Sequence, residues 1–418
     1  MRTLAEWLAL QESVHARSID LGLERVAPVA RALGLAQPPY RVITVAGTNG
    51  KGSTVAWLDA LARASGRRCG ALTSPHLLRY NERVHIEGSE ASDEALIGAF
   101  ERIERARGST TLTFFEYNTL AALLLFADAA VELAILEVGL GGRLDATNVV
   151  DADVAVLCSV GFDHRDWLGD TLEEIGREKA GIFRSRRPAV LGTDAMPASV
   201  FRAIAALDAQ PLVAGRDFHW SVHGDRWSYR GPRLALAELP VPSLPGEIQY
   251  RNAATALAAL EALEPERPID AEAAARALRE VRLPGRFQIV PGPVEWILDV
   301  AHNAPAAEVL AQNLEARPLR GRTLAVCGIL TDKDAGAIAR ALAARIDEWI
   351  LCALPGPRGS DAAALAARMA PLPRRVELTE SVSAGCELAR THARAGDRIV
   401  AFGSFLTVGS ALQYLGLY

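Results

Sequence analysis

Cysteine is scarce in this chain: five occur among 418 residues, an odd number spread widely along the sequence. Such a spacing indicates neither a disulfide framework nor a paired-cysteine metal site, so we expect buried, reduced thiols. A continuous apolar run of the roughly 20 residues that a membrane-spanning helix needs is also missing. The N-terminal residues lack the apolar core of a signal peptide. We therefore expect a cytoplasmic protein without membrane contact.

An excess of positive charge is missing as well. The 45 Lys and Arg residues are outnumbered by 50 Asp and Glu residues, which gives a formal net charge of −5. Because the basic residues are not gathered in blocks, we expect no nucleic-acid partner. Aromatic residues make up only 6% of the chain, but hydrophobic residues make up 50%, which is enough to bury cores and excludes global disorder. At roughly 100–200 residues per domain, two or three domains are expected.

Apolar runs bounded by turn residues alternate with Ala- and Leu-rich segments of helical period, a pattern typical of parallel α/β domains. In the first part of the chain this pattern predicts strands at 41–46, 134–138 and 153–160. It predicts helices at 52–65, 116–128, 172–181, 252–263 and 270–281. Between them, aromatic residues punctuate a polar-apolar alternation over 217–241, which favours a few antiparallel strands.

The pattern breaks at Pro284-Gly285 and again at Pro291-Gly292-Pro293, which is typical of an interdomain linker. A fresh alternation of strands and helices follows the break. The predicted strands there are 296–300, 323–327, 348–353, 375–378 and 397–402. We therefore predict an N-terminal domain over 1–286, a linker over 287–294 and a smaller α/β domain over 295–418.

The most informative segment follows the first predicted strand and reads Gly47-Thr48-Asn49-Gly50-Lys51-Gly52-Ser53, before an apolar helical run. A Gly-rich turn between a buried strand and a helix aims backbone N–H groups and the helix dipole at one point, which is an anion site. Lys51 adds a cation for the β and γ phosphates, and the Ser53 hydroxyl can ligate Mg²⁺. Fewer residues separate the first Gly from the Gly-Lys pair than in a Walker loop. ATP binding is favoured over a plain turn with a surface lysine.

Candidate metal ligands follow two further predicted strands. Glu137 ends an apolar run before a Gly-rich loop that holds Arg143 and Asp145, and His164 follows the strand at 153–160. Because the carboxyl ends of parallel strands meet at one edge of the sheet, Glu137 and His164 are well placed to bind Mg²⁺. A solvated strand-end acid and a structural histidine are the alternatives. Arg143 and Asp145 suit either substrate contacts or capping of the loop.

These segments together closely resemble the bacterial bifunctional dihydrofolate synthase/folylpolyglutamate synthases, a branch of the Mur ligase superfamily. The shared strings are GTNGKGS, EVGLGGRLDATN and REKAGIF, with TSPHL, YNERV, FFEY, LPGRF, DVAHN and DKD. The resemblance covers nearly the whole chain. It implies an α/β fold with two parts and a site in the cleft between them. The first part is an N-terminal P-loop ATPase domain, with a mostly parallel sheet and a small antiparallel β region, and the second is a smaller C-terminal Rossmann-like domain.

The resemblance also implies the roles of individual residues. It places ATP at Thr48, Asn49, Gly50, Lys51, Gly52, Ser53, Asn252, Arg286, Asp299 and His302. It places two Mg²⁺ ions at Ser53, Ser74, Glu137, His164 and Lys179. It places the pterin substrate at Ile19, Asp20, Leu21, Thr113, Phe114, Phe115, Glu116, Leu144, Asp145 and Ala146, to which we add Arg143. Lys51, His164 and Lys179 are the catalytic candidates.

Lys179 is where the resemblance changes the interpretation most. From the residues alone, Lys179 is a cation near the end of a helix, where it could cap carbonyl groups. The resemblance implies that it is carboxylated to a carbamate, an anion that supports the second Mg²⁺. Two departures from the family pattern stand in the C-terminal part. Ala304 follows Asn303 in place of Pro, with Pro305 next, and Leu406 stands where some relatives carry His.

The activity that the resemblance implies is ATP-dependent amide formation. L-Glutamate would be added to dihydropteroate, giving dihydrofolate, and to the terminal glutamate of tetrahydrofolates, giving folylpolyglutamates, through an acyl phosphate. We expect a monomer with only small-molecule partners. A peptidoglycan precursor ligase would share the loop, Glu137, His164 and Lys179, but the TSPHL and FFEY strings favour the folate branch. The alternative from another class of protein is a regulatory switch that binds nucleotide without ligase chemistry.

Overall fold

The computed structural model describes residues 2–17, 19–371 and 375–418. These residues form two compact units. The first runs to Gly161 and continues over Arg165–Ser243 and Tyr250–Val281, and the second holds Phe162–His164, Leu244–Gln249 and Arg282–Tyr418. The long C-terminal segment of the second unit begins at Arg282, shortly before the domain end predicted at 286. Two short segments of the predicted N-terminal domain group with the second unit.

A mostly parallel sheet forms the centre of the first unit. Its strands are β1 (Arg41–Ala46), β2 (Cys69–Leu72), β3 (Val84–Ile86), β4 (Ser89–Glu90), β5 (Leu133–Glu137), β6 (Val154–Leu157), β7 (Pro188–Leu191) and β8 (Gln210–Val213). Within the described residues their order is β4-β3-β2-β5-β1-β6-β7-β8. In this part of the structure the pairs β2–β3 and β3–β4 are antiparallel, and the other pairs are parallel. The central strands are buried along nearly their whole length, as expected for a parallel sheet covered on both faces.

Helices cover this sheet. They are α1 (Leu4–Val14), α2 (Val26–Ala32), α3 (Lys51–Ala64), α4 (Asp93–Arg107), α5 (Phe114–Asp128), α6 (Arg165–Leu168), α7 (Leu172–Ala180), α8 (Ala198–Leu207), α9 (Ile248–Leu263) and α10 (Ala271–Glu280). α5 is buried on every side from Glu116 to Phe126, because it is apolar all round and packs between α4 and β2. A capping box at Thr113 and Glu116 begins it.

The aromatic-rich segment forms the expected antiparallel sheet. Its strands are β9 (His219–His223), β10 (Arg226–Arg230) and β11 (Ala235–Pro240), in the order β11-β10-β9. Trp227 and Tyr229 alternate with exposed residues and are buried. The Tyr229 hydroxyl donates to Glu261 of α9 at 3.0 Å. The prediction of antiparallel strands over 217–241 is confirmed.

The second unit repeats the α/β pattern on a smaller scale. Its strands are β12 (Gln288–Val290), β13 (Glu295–Asp299), β14 (Thr323–Cys327), β15 (Glu348–Cys352), β16 (Arg375–Thr379) and β17 (Arg398–Phe402). Its helices are α11 (Ala304–Glu315), α12 (Ala335–Leu342), α13 (Ala362–Met369), α14 (Val382–His392) and α15 (Phe405–Tyr414). In the described chain the strand order is β12-β13-β17-β14-β15-β16, and every pair except β12–β13 is parallel. The predicted α/β class is confirmed for both units.

Two predicted stretches differ from the structure. Residues 287–294 do not form a linker, because Gln288–Val290 pair antiparallel with β13. The Pro291-Gly292-Pro293 break is the connection of this hairpin. The strand predicted over 153–160 ends at Leu157. Beyond it the chain leaves the ladder and bonds to the loop after β1, through Ser159.

The five cysteines are buried and free. No helix within the described ranges has both the length and the apolar character needed to cross a bilayer.

Candidate active site

The loop after β1 has the geometry of an anion site. Gly50 immediately precedes α3 with φ +89°, a conformation that favours glycine, and no side chain caps the helix start. A helix start without a side-chain cap keeps its backbone N–H groups available for an anion. A Cβ on Gly47 would lie 3.0 Å from the Cβ of Cys158, so this position also needs glycine. The loop is thus shaped by close packing against the chain that follows β6.

Thr48 and Asn49 hold the loop in place. Thr48 donates its backbone N–H to the Ser159 carbonyl at 2.9 Å, and its hydroxyl donates to the Gly161 carbonyl at 3.0 Å. The Asn49 N–H donates to the Ser159 hydroxyl at 3.1 Å, which in turn donates to the Asn49 carbonyl. Thr48 was predicted to bind ATP as part of the loop, and its hydroxyl is bonded to the protein backbone.

Lys51, Ser53 and Asn252 complete the loop region. The Lys51 Nζ donates to the Gly47 carbonyl at 3.1 Å. Ser53 is buried on the first turn of α3. The Oδ1 of Asn252, on α9, lies against Gly50, since it would be 3.2 Å from a Cβ placed there. The structure thus brings together the predicted ATP-binding residues of the first unit.

Glu137 lies beside this loop. It ends β5, and its Cα partner on the neighbouring strand β1 is Val45. The side chain is 4% exposed, and its Oε2 accepts the Ser74 N–H at 3.1 Å. Glu137 is therefore not the solvated strand-end acid of the alternative interpretation, and two predicted metal ligands are in contact.

Lys179 is buried, with 4% of its surface exposed, in the last turn of α7. The loop after β5 packs on the same helix end: a Cβ on Gly142 would lie 2.9 Å from the Lys179 carbonyl. The Arg143 N–H donates to the Glu178 carbonyl at 2.9 Å. The guanidinium of Arg143 pairs with the Glu178 carboxylate at 3.0 Å. A solvated helix-end cation would not be buried in this way.

Asp145 acts inside the loop. One carboxylate oxygen accepts the Leu140 N–H at 2.8 Å, and the other accepts the N–H and the hydroxyl of Thr147 at 3.0 and 2.7 Å. Burial raises the pKa of Asp145, and the hydrogen bonds from Thr147 and Leu140 oppose that shift. Of the two interpretations of this residue, the structure shows the loop cap.

The predicted pterin-binding segments lie next to one another. The Gly22 N–H donates to the Leu144 carbonyl at 3.1 Å, which ties the chain after Leu21 to the loop at 144–146. Arg25 connects the segment at 19–21 with the segment at 113–116, since its guanidinium lies 2.8 Å from the Asp20 carboxylate and 3.2 Å from the Glu116 carboxylate. Arg25 was not predicted, although it stands only four residues after the predicted Leu21.

Aromatic rings line the start of α5. The Phe115 ring covers Gly139, where a Cβ would approach it to 2.7 Å. The Phe114 ring meets Tyr80 edge to face, with centroids 5.5 Å apart. The Arg83 guanidinium lies 5.3 Å from the Phe114 centroid. Arg83 belongs to the matched YNERV string but had no role assigned.

The second unit carries a buried charged cluster around Asp163. Its carboxylate lies 2.5 Å from the Lys333 Nζ, 3.0 Å from the amide nitrogen of Asn303 and 3.6 Å from the Nε2 of His302. Burial alone would raise the pKa of Asp163, but the hydrogen bond from His302 and the charges of His164 and Lys333 lower it far below its usual range. His164 has a φ of +52°, and its Nε2 lies 3.5 Å from the Lys333 Nζ.

Three predicted nucleotide-binding residues also gather in the second unit. Asp299 is partly buried and accepts the N–H groups of Phe287 and Ala301, both at 2.8 Å. Burial raises its pKa, which the Ala301 N–H and the Arg286 charge oppose. The Arg286 guanidinium lies 5.2 Å from the centroid of Phe405, and the His302 ring lies 6.2 Å from the same ring.

The scarcity of lysine could have identified Lys333 as a candidate site residue from the sequence. Lysine occurs at three positions only, 51, 179 and 333, among 45 basic residues. Where arginine is used almost everywhere, a retained lysine marks a position that a guanidinium does not serve, because the two groups differ in size and in bonding geometry. The first two positions were predicted site residues, and the third holds Asp163.

The predicted metal ligands fit an oxygen-loving ion that is held partly by phosphate. Among the described residues, no group of three or more His, Cys, Asp and Glu side chains could enclose a metal. Mg²⁺ is commonly held by one or two carboxylates together with substrate phosphates and water. Glu137 and the Ser53 hydroxyl beside the loop supply oxygen ligands of this kind.

Comparison with known proteins decides the family. The Mur ligase middle domain matches residues 45–260, and the Mur ligase glutamate ligase domain matches residues 285–405. The dihydrofolate synthase/folylpolyglutamate synthase of Escherichia coli K12 is 44% identical over 412 residues, covering 99% of this chain and 95% of the relative. The chain belongs to the dihydrofolate synthase/folylpolyglutamate synthase family of Mur ligases. The family predicted from the motifs is confirmed.

Solved structures of the dihydrofolate synthase/folylpolyglutamate synthase family share the whole fold. Escherichia coli FolC in complex with DHPP and ADP has a TM-score of 0.94 at 44% identity, covering 99% of this chain and 98% of that one. A folylpolyglutamate synthase/dihydrofolate synthase with Mn, AMPPNP and L-glutamate bound has a TM-score of 0.92 at 44% identity, covering 100% and 99%. The ligands of these two structures are a nucleotide, a divalent metal, glutamate and DHPP.

Proposed function

We propose that this protein is an ATP-dependent ligase that adds L-glutamate to dihydropteroate and to the terminal glutamate of tetrahydrofolates. The observation that carries the proposal is the pairing of β1 with β5. It sets Glu137, which accepts the Ser74 N–H, opposite Val45 at the end of the strand that leads into the loop and its uncapped helix start. An anion site next to a buried carboxylate suits a nucleotide and its metal. Membership of a family whose solved relatives bind ADP, AMPPNP, glutamate and DHPP supports the same activity.

The chemistry follows from the weak electrophilicity of a carboxylate in water. The substrate carboxylate attacks the γ-phosphate, which forms an acyl phosphate and releases ADP. The neutral amine of L-glutamate then attacks the acyl carbon, an amide bond forms and phosphate leaves. Lys51 offsets charge on the transferred phosphoryl group, and the loop's N–H groups hold the phosphates.

The residues that would hold the metal ions are Ser53, Ser74, Glu137, His164 and Lys179, the last as a carbamate. When bound, Mg²⁺ would neutralise negative charge on the phosphate oxygens. Burial of Lys179 supports a modified side chain, because a bound cation would compensate the charge of a buried carbamate. The roles of His164 and of the carbamate are our proposals.

We further propose that ATP is bound by the loop residues Thr48–Ser53, by Asn252 and by Arg286, Asp299 and His302. Arg286 suits an anionic or aromatic ligand group, since its guanidinium already stacks on Phe405. Asp299 orients the chain around it by accepting two backbone N–H groups. Thr48 would contact ATP through its backbone, because its hydroxyl is bonded to Gly161.

Pterin binding is proposed for the adjoining segments at 19–21, 113–116 and 144–146. Their contacts through Gly22, Leu144 and Arg25 support one shared site. Asp145 shapes the loop of this site, and Arg143 contributes by its pairing with Glu178. We propose that the chain acts as a monomer, because every proposed site residue is supplied by one chain. We also propose that it acts in the cytoplasm. Sedimentation and cell fractionation would test these two points.

Product analysis by mass spectrometry tests the function. The protein is incubated with ATP, Mg²⁺ and L-glutamate, and with either dihydropteroate or tetrahydrofolate. We expect a glutamate adduct of each substrate and one ADP per bond formed. If tetrahydrofolate but not dihydropteroate gave a glutamate adduct, the proposed activity would be limited to that of a polyglutamylase. Products from nucleotide-linked muropeptides in place of folates would overturn it in favour of a peptidoglycan precursor ligase, and nucleotide binding without glutamate-dependent phosphate release would indicate a switch.

A further inference from the structure

Arg83 is a buried arginine with unused hydrogen-bond donors. It ends the short 3-10 turn Tyr80–Arg83 that precedes β3, and it is 8% exposed. Its Nε donates to the Nδ1 of His76 at 2.7 Å. Within the described parts of the chain, its two terminal nitrogens have no hydrogen-bond partner, and no carboxylate lies within ion-pair distance of them. A guanidinium this deeply buried normally pairs with an anion.

The neighbours of Arg83 do not supply that anion. His76 accepts the Arg83 Nε–H at its Nδ1, so it contributes a neutral ring nitrogen and not an anion. Glu82 is committed to the backbone N–H groups of Leu77 and Leu78, at 2.7 and 2.8 Å. Glu137 interacts with Arg83 electrostatically but accepts its hydrogen bond from Ser74.

Aromatic rings hold the guanidinium in one place. The Arg83 Cζ lies 5.7 Å from the Tyr80 centroid and 5.3 Å from the Phe114 centroid. Phe114 belongs to a proposed pterin segment, and Glu137 is a proposed metal ligand. Arg83 is therefore near both a segment proposed for the substrate, through Phe114, and a proposed metal ligand, Glu137. The reacting carboxylate of the substrate must come close to the metal-bound phosphate, so it would pass near Arg83.

We propose that Arg83 is a further catalytic residue, which binds the carboxylate of dihydropteroate or of the terminal folate glutamate that becomes the acyl phosphate. The proposal rests on the proposed function. The two terminal nitrogens of a guanidinium form a fork that matches a carboxylate, and charge-assisted bonds of this kind are among the strongest. Held by His76 and the two rings, the fork would orient the carboxylate for attack on the γ-phosphate.

Binding of a substrate and its neutral analogue tests this directly. The full-length protein with ADP and Mg²⁺ is titrated with dihydropteroate and with its carboxamide, which lacks the negative charge. We expect the parent to bind the acid between about tenfold and a hundredfold more tightly than the amide. In Arg83→Met the ratio should fall to near one, while the affinity for the amide stays close to that of the parent. Arg83→Lys should retain part of the ratio, because the charge remains but the fork is lost.

Arg79→Met is the matched control. Arg79 is an exposed residue that immediately precedes the same turn, and it pairs with Glu90 at 2.7 Å. This variant should keep the parental ratio. An unchanged ratio in Arg83→Met, or a parent that forms product but binds acid and amide equally, would overturn the inference and leave the proposed function standing. A parent that makes no glutamate product and binds neither compound would overturn both.

A crystal structure of the parent protein with dihydropteroate decides the matter if Arg83→Met does not fold. Carboxylate oxygens at hydrogen-bond distance from the terminal nitrogens of Arg83 would support the inference. A carboxylate bound to any other cation, with Arg83 uninvolved, would overturn it.

Discussion

Lys51 donates from Nζ to the carbonyl oxygen of Gly47 at 3.1 Å, so its ammonium group lies over the loop that begins its own helix. A second, longer contact of 3.4 Å reaches the Thr48 carbonyl. Gly47, Gly50 and the hydrogen bonds to Ser159 also hold the loop, so its shape does not depend on this side chain alone. The charge at position 51 can therefore be removed without removing the turn.

Lys51→Ala should abolish most turnover while leaving the fold intact. Loss of one preorganised charge from a transition state typically lowers kcat by about 10²–10³-fold, and a substitution outside the core changes stability by about 0.5 kcal/mol or less. Steady-state ADP release and urea unfolding would measure both. Arg63→Ala, in the same helix and paired with Asp59, should retain parental activity. Normal ligase rates in folded Lys51→Ala would remove this residue from the proposed site.

The carbamate at Lys179 predicts a specific pattern among variants. Lys179→Ala should be nearly inactive, and formate or acetate should partly restore it by filling the vacated anion position. Lys179→Arg should also fail, because a guanidinium stays cationic. Since the chain has three lysines, ¹³C NMR of protein equilibrated with ¹³C-bicarbonate should show a carbamate resonance that Lys179→Ala removes. Near-parental activity of Lys179→Arg would contradict the modification.

Asp145→Ala should lower both the stability of the protein and its ligase activity. The substitution leaves the N–H groups of Leu140 and Thr147 without their acceptor inside a buried loop. Such a loss costs about 2–4 kcal/mol, which a shift of the urea midpoint would report. Asp151→Ala, at an exposed residue of the first unit paired with Arg184, is the control. A raised KM at unchanged stability would instead indicate a substrate contact alone.

His76 should make stability depend on pH below neutrality. Its pKa is about 4 in the folded protein, against an ordinary value of 6.5, because burial disfavours the charged form. Between these values the unfolded chain binds more protons, so the free energy of unfolding falls as the pH drops from about 6.5 towards 4. His76→Asn should flatten this part of the curve, measured by thermal melts across that range. The exposed His223, changed to Asn, should leave the curve unaltered.

The local sequence pattern was sufficient to predict those strands and helices whose own residues form a clear apolar run or a helical period. The strand at Arg41–Ala46 was predicted at its observed bounds, because a buried parallel strand between a loop and a glycine turn is a continuous apolar run. The helix after the loop differed by one residue at each end. Strand β2 and helix α4 were not predicted. β2 has only four residues, and its identity depends on pairing with β5.

The family, the α/β class and the positions of the phosphate loop, Glu137 and Lys179 could be predicted from the sequence, since these depend on contiguous residues whose chemistry is local. The contacts between residues far apart in the chain could not be predicted in this way. The folded chain places Arg25 against Asp20 and Glu116, pairs the Asp163 carboxylate with Lys333, and makes residues 288–290 an edge strand. Hydrogen bonds and burial depend on neighbours in space, which a local pattern does not specify. The burial of Arg83 beside His76 likewise depends on the folded chain.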